Sequence, residues 1–149
     1  MIVFVSFDKG TFAFESREDF SINPKVHVVI TNGLDAPTTS KNITVHCKSK
    51  DDDLGFHTLM FGESWDFTFR PLVFPRWQET LFFCSFTWPK DPLLHYLDVY
   101  NQKKDECIEC LWKITSKGGC KYNSNLKKYD VCVPWKSVQV VGANNSSKI

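Results

Sequence analysis

Six cysteines and four histidines are the residues of this chain with the most chemistry to offer. The cysteines (Cys47, Cys84, Cys107, Cys110, Cys120 and Cys132) sit within or beside runs that read as strands. In a chain of 149 residues, an even set so placed points to a disulfide framework and an oxidising, extracellular compartment. Cys107-x-x-Cys110 is half of a zinc-ribbon spacing, but Cys120 and Cys132 stand too far apart to supply the other half, so no metal is expected. Catalysis would need a nucleophile, a base and an orienting group brought together. His27, His46, His57 and His95 lie in separate segments, and none falls in a His-Glu-x-x-His frame. His27 and His46 occupy the solvent-facing phase of their strands, the place of ordinary surface histidines. Gly118-Gly119 lacks the strand-to-helix context of a phosphate loop. The chain reads as a non-enzymatic protein without a cofactor.

Other residues suit recognition better than reaction. In the loop from Pro71 to Glu79, Phe74, Arg76 and Trp77 are residue types that dominate binding hot spots. Loops on a rigid β-scaffold commonly carry such contacts. The segments Leu34 to Lys41 and Lys90 to His95 are alternatives, and both rings of the favoured loop could instead fold back over the core. Asp51-Asp52-Asp53 is either an acidic contact for a basic partner or a solvated turn balanced by Lys48 and Lys50. The solvated turn is the better reading, since a calcium loop needs oxygen ligands at wider, alternating spacing. Asn42-Ile43-Thr44 is a glycosylation sequon whose Asn falls on a solvent-facing phase.

The formal net charge of +1 argues against phosphate neutralisation as a binding principle, so nucleic acid is not an expected partner. No apolar run is long enough for a bilayer-spanning helix, and no membrane insertion is expected. With thirteen Phe residues, a single monomeric domain has the material for a substantial core.

These residues need strands to hold them. Leu81 to Trp88 is aromatic, free of Gly, Pro and charge, and bounded by Pro75 and Pro89; it reads as a central strand, buried on both faces at one end. Ile43, Val45 and Cys47 alternate with Thr44, His46 and Lys48, as one core face and one wet face require. Trp65, Phe67 and Phe69 alternate with Asp66, Thr68 and Arg70 in the same way. Val26 to Ile30, Phe56 to Phe61, Tyr96 to Tyr100 and Cys107 to Thr115 add further strands, and Cys120 to Tyr122 pairs with Tyr129 to Trp135 as a last hairpin. About eight short strands without a helix predict an all-β fold, an antiparallel β-sandwich stapled by disulfides.

The phases suggest pairings, although six cysteines allow fifteen. Cys120 with Cys132 would clip the last hairpin. Cys47 and Cys110 both face inward and could bridge the two sheets, leaving Cys84 for Cys107. Residues 1–24 mix Phe with charge around a short apolar start and are expected to be a leader or a poorly ordered segment. The domain is expected over 25–136, with a flexible polar tail over 137–149.

Several phrases resemble a known family. Thr44-Val45-His46-Cys47-Lys48-Ser49-Lys50-Asp51-Asp52-Asp53-Leu54-Gly55 is similar to the hallmark segment of the plant self-incompatibility proteins, the S-protein homologues. So are Leu81 to Trp88, Leu97-Asp98-Val99-Tyr100, Cys107-x-x-Cys110-x-Trp112-x-Ile114 and Lys128-Tyr129-Asp130-Val131-Cys132-x-Pro134-Trp135. The N-terminus departs from the pattern, since the family carries a plain secretory signal. The resemblance implies a small secreted plant protein, a disulfide-stapled β-sandwich without enzymatic activity. It also implies a signalling ligand that binds a cell-surface receptor through its loops, as pistil-expressed members inhibit incompatible pollen. The alternative on the same scaffold is a defence-type module that binds a glycan or inhibits a foreign enzyme.

Overall fold

The computed structural model describes residues 24–35, 42–73 and 78–140. Ten strands follow one another: β1 (Val26–Asn32), β2 (Ile43–Lys48), β3 (Asp53–Leu59), β4 (Ser64–Phe69), β5 (Leu81–Thr87), β6 (Leu93–Asn101), β7 (Glu109–Thr115), β8 (Gly118–Asn123), β9 (Lys128–Pro134) and β10 (Ser137–Val140). They form two five-stranded sheets, ordered β4-β1-β7-β8-β9 and β10-β6-β5-β2-β3. The sandwich architecture expected from the alternating segments is therefore the one observed.

Alternation builds the core. Val26, Val28 and Ile30 of β1 face Ile43, Val45 and Cys47 of β2 and Phe82, Cys84 and Phe86 of β5 across the interior, all essentially inaccessible to water. Each strand has period two, so one face of each sheet collects the apolar residues while the other meets solvent. Strand β5 lies at the centre of its sheet, but it alternates strictly and is not buried on both faces at one end. The half-buried rings of β4 close one flank: Phe67 and Phe69 pack on Phe82 at 5.0 and 4.6 Å. At another edge Trp88 stacks on His95 at 4.4 Å, with Trp135 beside it at 4.8 Å from the same imidazole.

Three further expectations need correction. The sandwich is not wholly antiparallel, because β1 and β7 run parallel in the middle of the first sheet. Such a pair needs a long crossover, and here four strands of the second sheet, β2, β3, β5 and β6, are part of it. The tail does not begin at 137: Ser137–Val140 pairs with β6, placing Val138 opposite His95. Its alternation of Ser and Gln with Val is a strand pattern, only a short one. Residues 1–23 and 141–149 lie outside the described residues, as do the expected leader and the remainder of the tail.

The third correction concerns sulfur. Cys47 bonds Cys84 and Cys107 bonds Cys110, while Cys120 bonds Cys132; no cysteine is free. Cys47 and Cys110 do face inward, but from different sheets, and facing sheets stand about 10 Å apart. Cys84 lies directly opposite Cys47 on the neighbouring strand, within the short reach a disulfide demands. Cys107 precedes β7 and closes a small ring with Cys110 instead of crossing to Cys84.

Ser116 and Lys117 turn the chain between β7 and β8, and Gly118 and Gly119 open β8. Gly118 has φ +147, and any side chain there would collide with the Val133 carbonyl. A Cβ on Gly119 would stand 2.7 Å from Leu97 and 2.9 Å from Trp112. The bare Gly119 lets β8 lie close against Leu97 of the opposite sheet, and the bare Gly118 leaves room for the β9 backbone beside it.

Candidate recognition cleft and its supports

The β2–β3 turn and the chain between β4 and β5 meet at one end of the sandwich. A cleft of 300 Å³ lies between them, lined by Asp51 and Asp52 from the turn and by Arg70, Leu72 and Glu79 from the connection. The turn is held by its own backbone: Ser49 N–H donates to the Asp52 carbonyl at 2.8 Å, and Asp52 N–H donates to Ser49 Oγ at 3.1 Å. Both carboxylates are exposed, and no ion pair engages Asp51 or Asp52 among the described residues. The cleft thus presents two carboxylates that form no ion pair among the described residues, together with Lys50, Arg70 and the apolar edges of Leu72 and Leu81.

Asp53 has a different task. It begins β3 and accepts hydrogen bonds from His46 Nε2 at 2.7 Å and from Gly55 N–H at 3.0 Å. The Gly55 N–H first, and His46 second, hold this carboxyl below its ordinary range. The three aspartates expected to act as one turn are thus divided, two at the cleft and one inside the strand pairing.

The other wall is closed at its base by a residue that sequence reading passed over. Gln102 N–H donates to the Thr80 carbonyl at 3.0 Å, and Gln102 Oε1 accepts from Thr80 N–H at 2.8 Å. Gln102 Nε2 donates to the Leu72 carbonyl at 2.7 Å, and Leu72 N–H donates to Thr80 Oγ1 at 3.0 Å. Gln102 therefore ties both stems of the connection to each other and to the end of β6. A polar residue in a turn carries no sequence signal of this kind; only the return of the chain to Thr80 gives it meaning. Of the expected binding loop, Phe74, Arg76 and Trp77 lie outside the described residues.

The histidines are not ordinary surface residues. On the outer face of the first sheet, His27 Nε2 donates to Asp66 at 2.6 Å and Nδ1 donates to Glu109 at 2.8 Å. With both ring nitrogens donating, the imidazolium is favoured, and its pKa is raised above 6.5, mainly by Asp66 and next by Glu109. His46 stacks on Phe56 at 4.0 Å and His57 on Trp65 at 4.0 Å. His95 is buried between indoles, its Nε2 3.5 Å from Asp91 but without a well-formed hydrogen bond. No three His, Cys, Asp or Glu among the described residues come together in a way that could hold a metal ion. Asn42 lies exposed immediately before β2.

Known proteins share this chain's pattern. It matches the family described as "Plant self-incompatibility protein S1" over residues 27–135. It is 44% identical to S-protein homolog 2 of Arabidopsis thaliana over 115 residues, spanning 72% of this chain and 66% of that relative. It is 39% identical to S-protein homolog 5 of Arabidopsis thaliana over 111 residues, 73% of this chain and 77% of the relative. A solved structure of SPH (Self-Incompatibility Protein Homologue) proteins, a family of small, highly stable, secreted proteins from plants, superposes with a TM-score of 0.50. It covers 80% of this chain and 96% of its own at 16% identity, a likeness of fold.

Proposed function

This chain belongs to the plant self-incompatibility protein S1 family, and from that premise we propose that it is an exported recognition ligand that binds a cell-surface protein through the cleft at the β2–β3 turn. The observation that carries the reading is the convergence of Asp51 and Asp52 with the stems of the β4–β5 connection, held by Gln102. Three disulfides suit a protein working outside the reducing cytosol. A pre-closed loop base lowers the ordering cost of association, and exposed carboxylates beside apolar edges fit a basic, partly apolar surface on the partner.

The test is binding of the oxidised protein to membrane fractions of plant tissue. Saturable, protease-sensitive binding that weakens about tenfold in Asp51→Lys/Asp52→Lys supports the reading, the loss expected when two exposed charges are reversed. Binding that survives protease and follows the polysaccharide assigns the protein to the glycan-binding class instead.

A further inference from the structure

Strand β9 leaves inward-phase apolar residues open to solvent, as the short edge strand β10 does with Val138 and Val140. Val131 and Val133 of β9 occupy the inward phase, opposite Lys121 and Gly119, yet they remain 47% and 39% exposed. The cause is an offset between the layers. The first sheet ends in β8 and β9, whereas the second ends in the four-residue β10, so the last hairpin overhangs its neighbour.

Beneath the overhang runs a trough of 460 Å³, larger than the cleft and separate from it. Its floor is Leu97 and Trp112, both nearly inaccessible, and its apolar wall is Val131, Val133 and Pro134. Polar groups edge it in pairs. Lys121 Nζ donates to Asp105 at 2.6 Å and lies 5.4 Å from the Trp112 ring centroid; Lys136 Nζ donates to Asp98 at 2.8 Å. Lys104 also lines the trough and has no acidic partner among the described residues. Three ammonium groups thus meet two carboxylates, and the uncompensated charge is positive. A volume of this size, with an apolar floor and one apolar wall beneath a charged rim, falls in the range of small-ligand sites.

We propose that this trough binds a small amphiphile with one carboxylate, its apolar body laid along Val131, Val133 and Pro134 and its head group at Lys104. The side chain of Lys104 is exposed and, among the described residues of the rim, is the charge without an ion pair, while Lys121–Asp105 and Lys136–Asp98 offset each other. A cationic head would meet an unpaired ammonium and a burial cost with nothing to offset it.

The experiment titrates the oxidised, 15N-labelled full chain with decanoate and, in parallel, with decyltrimethylammonium, both below micelle formation. Expected are saturable shifts of the Val131 and Val133 amides and of the Trp112 indole N–H with decanoate only. Lys104→Glu should weaken decanoate binding about tenfold, the effect of reversing one exposed contact. Lys103→Glu, the same charge change beside it but outside the trough, should leave binding unchanged. Equal response to both amphiphiles, equal loss in the two variants, or shifts that map elsewhere would overturn the proposal. So would concentration-dependent shifts of the β9 amides without any additive, which would make a second copy of the chain the occupant.

Discussion

The two sheets are fastened at their centres by opposite means. In the second sheet the β2–β5 pair is joined by Cys47–Cys84, a covalent bridge inside the core with both residues fully buried. In the first sheet no disulfide joins two strands at the centre. There His27 spans three strands from the outside, taking Asp66 of β4 with one nitrogen and Glu109 of β7 with the other. Its disulfides join no two central strands: Cys107–Cys110 closes a small ring at the start of β7, and Cys120–Cys132 spans the last hairpin. One sheet has a fastening indifferent to pH; the other has one that responds to it.

The contrast is sharpest for the core bridge. Cys47→Ala/Cys84→Ala should cost about 3–5 kcal/mol, since it frees a long loop and leaves space in a packed interior. For a domain of this size that lowers Tm by roughly 10 °C, measurable by calorimetry. A loss no larger than that of the hairpin bridge would show that burial adds nothing to the covalent term. Cys120→Ser/Cys132→Ser should cost about 2–3 kcal/mol, with faster amide exchange confined to β8 and β9. Under mild reductant with alkylation, Cys120 and Cys132 should be labelled before Cys47 and Cys84, because a thiolate must reach the sulfur it attacks; simultaneous labelling would erase the distinction.

The ionic fastening should give the smallest effect. A raised folded pKa means that His27 adds stability in full below the unfolded value of about 6.5. That contribution disappears as pH rises through the higher folded value. His27→Gln should therefore lower Tm at acidic pH, by about 3 °C for a partly exposed cluster worth ~1 kcal/mol, and leave it nearly unchanged at alkaline pH. A pH-independent loss would mean that the ring acts by packing alone.

Much of this arrangement is legible in the sequence. The alternation in Ile43–Cys47, in Trp65–Phe69 and through β5 gives strand and face together, because period two ties them. Inward phase, however, does not tell a cysteine which neighbour it meets. Cys47 and Cys110 share a phase and differ in sheet, and sheet membership depends on pairings between distant segments. The parallel β1–β7 pair was hidden for the same reason, as was the role of Gln102. For the cleft, residue types favoured the β4–β5 connection, while Asp51 and Asp52 read better as a solvated turn than as a contact. Their meeting at one end belongs to the fold. Asp53 looked identical to its neighbours because composition is blind to the strand pairing that turns its side chain toward His46.

Strand β1 has a further consequence, one of order in time. It opens the domain yet lies between β4 and β7, and its register with β7 runs from His27↔Glu109 to Asn32↔Ile114. An emerging chain can close the β2–β5 pair while β1 still lacks one neighbour, and that side stays unpaired until residue 115 has followed. Contacts so distant along the chain form slowly. The first strand made is thus among the last to be enclosed, and the sandwich closes only when nearly all of the domain is available.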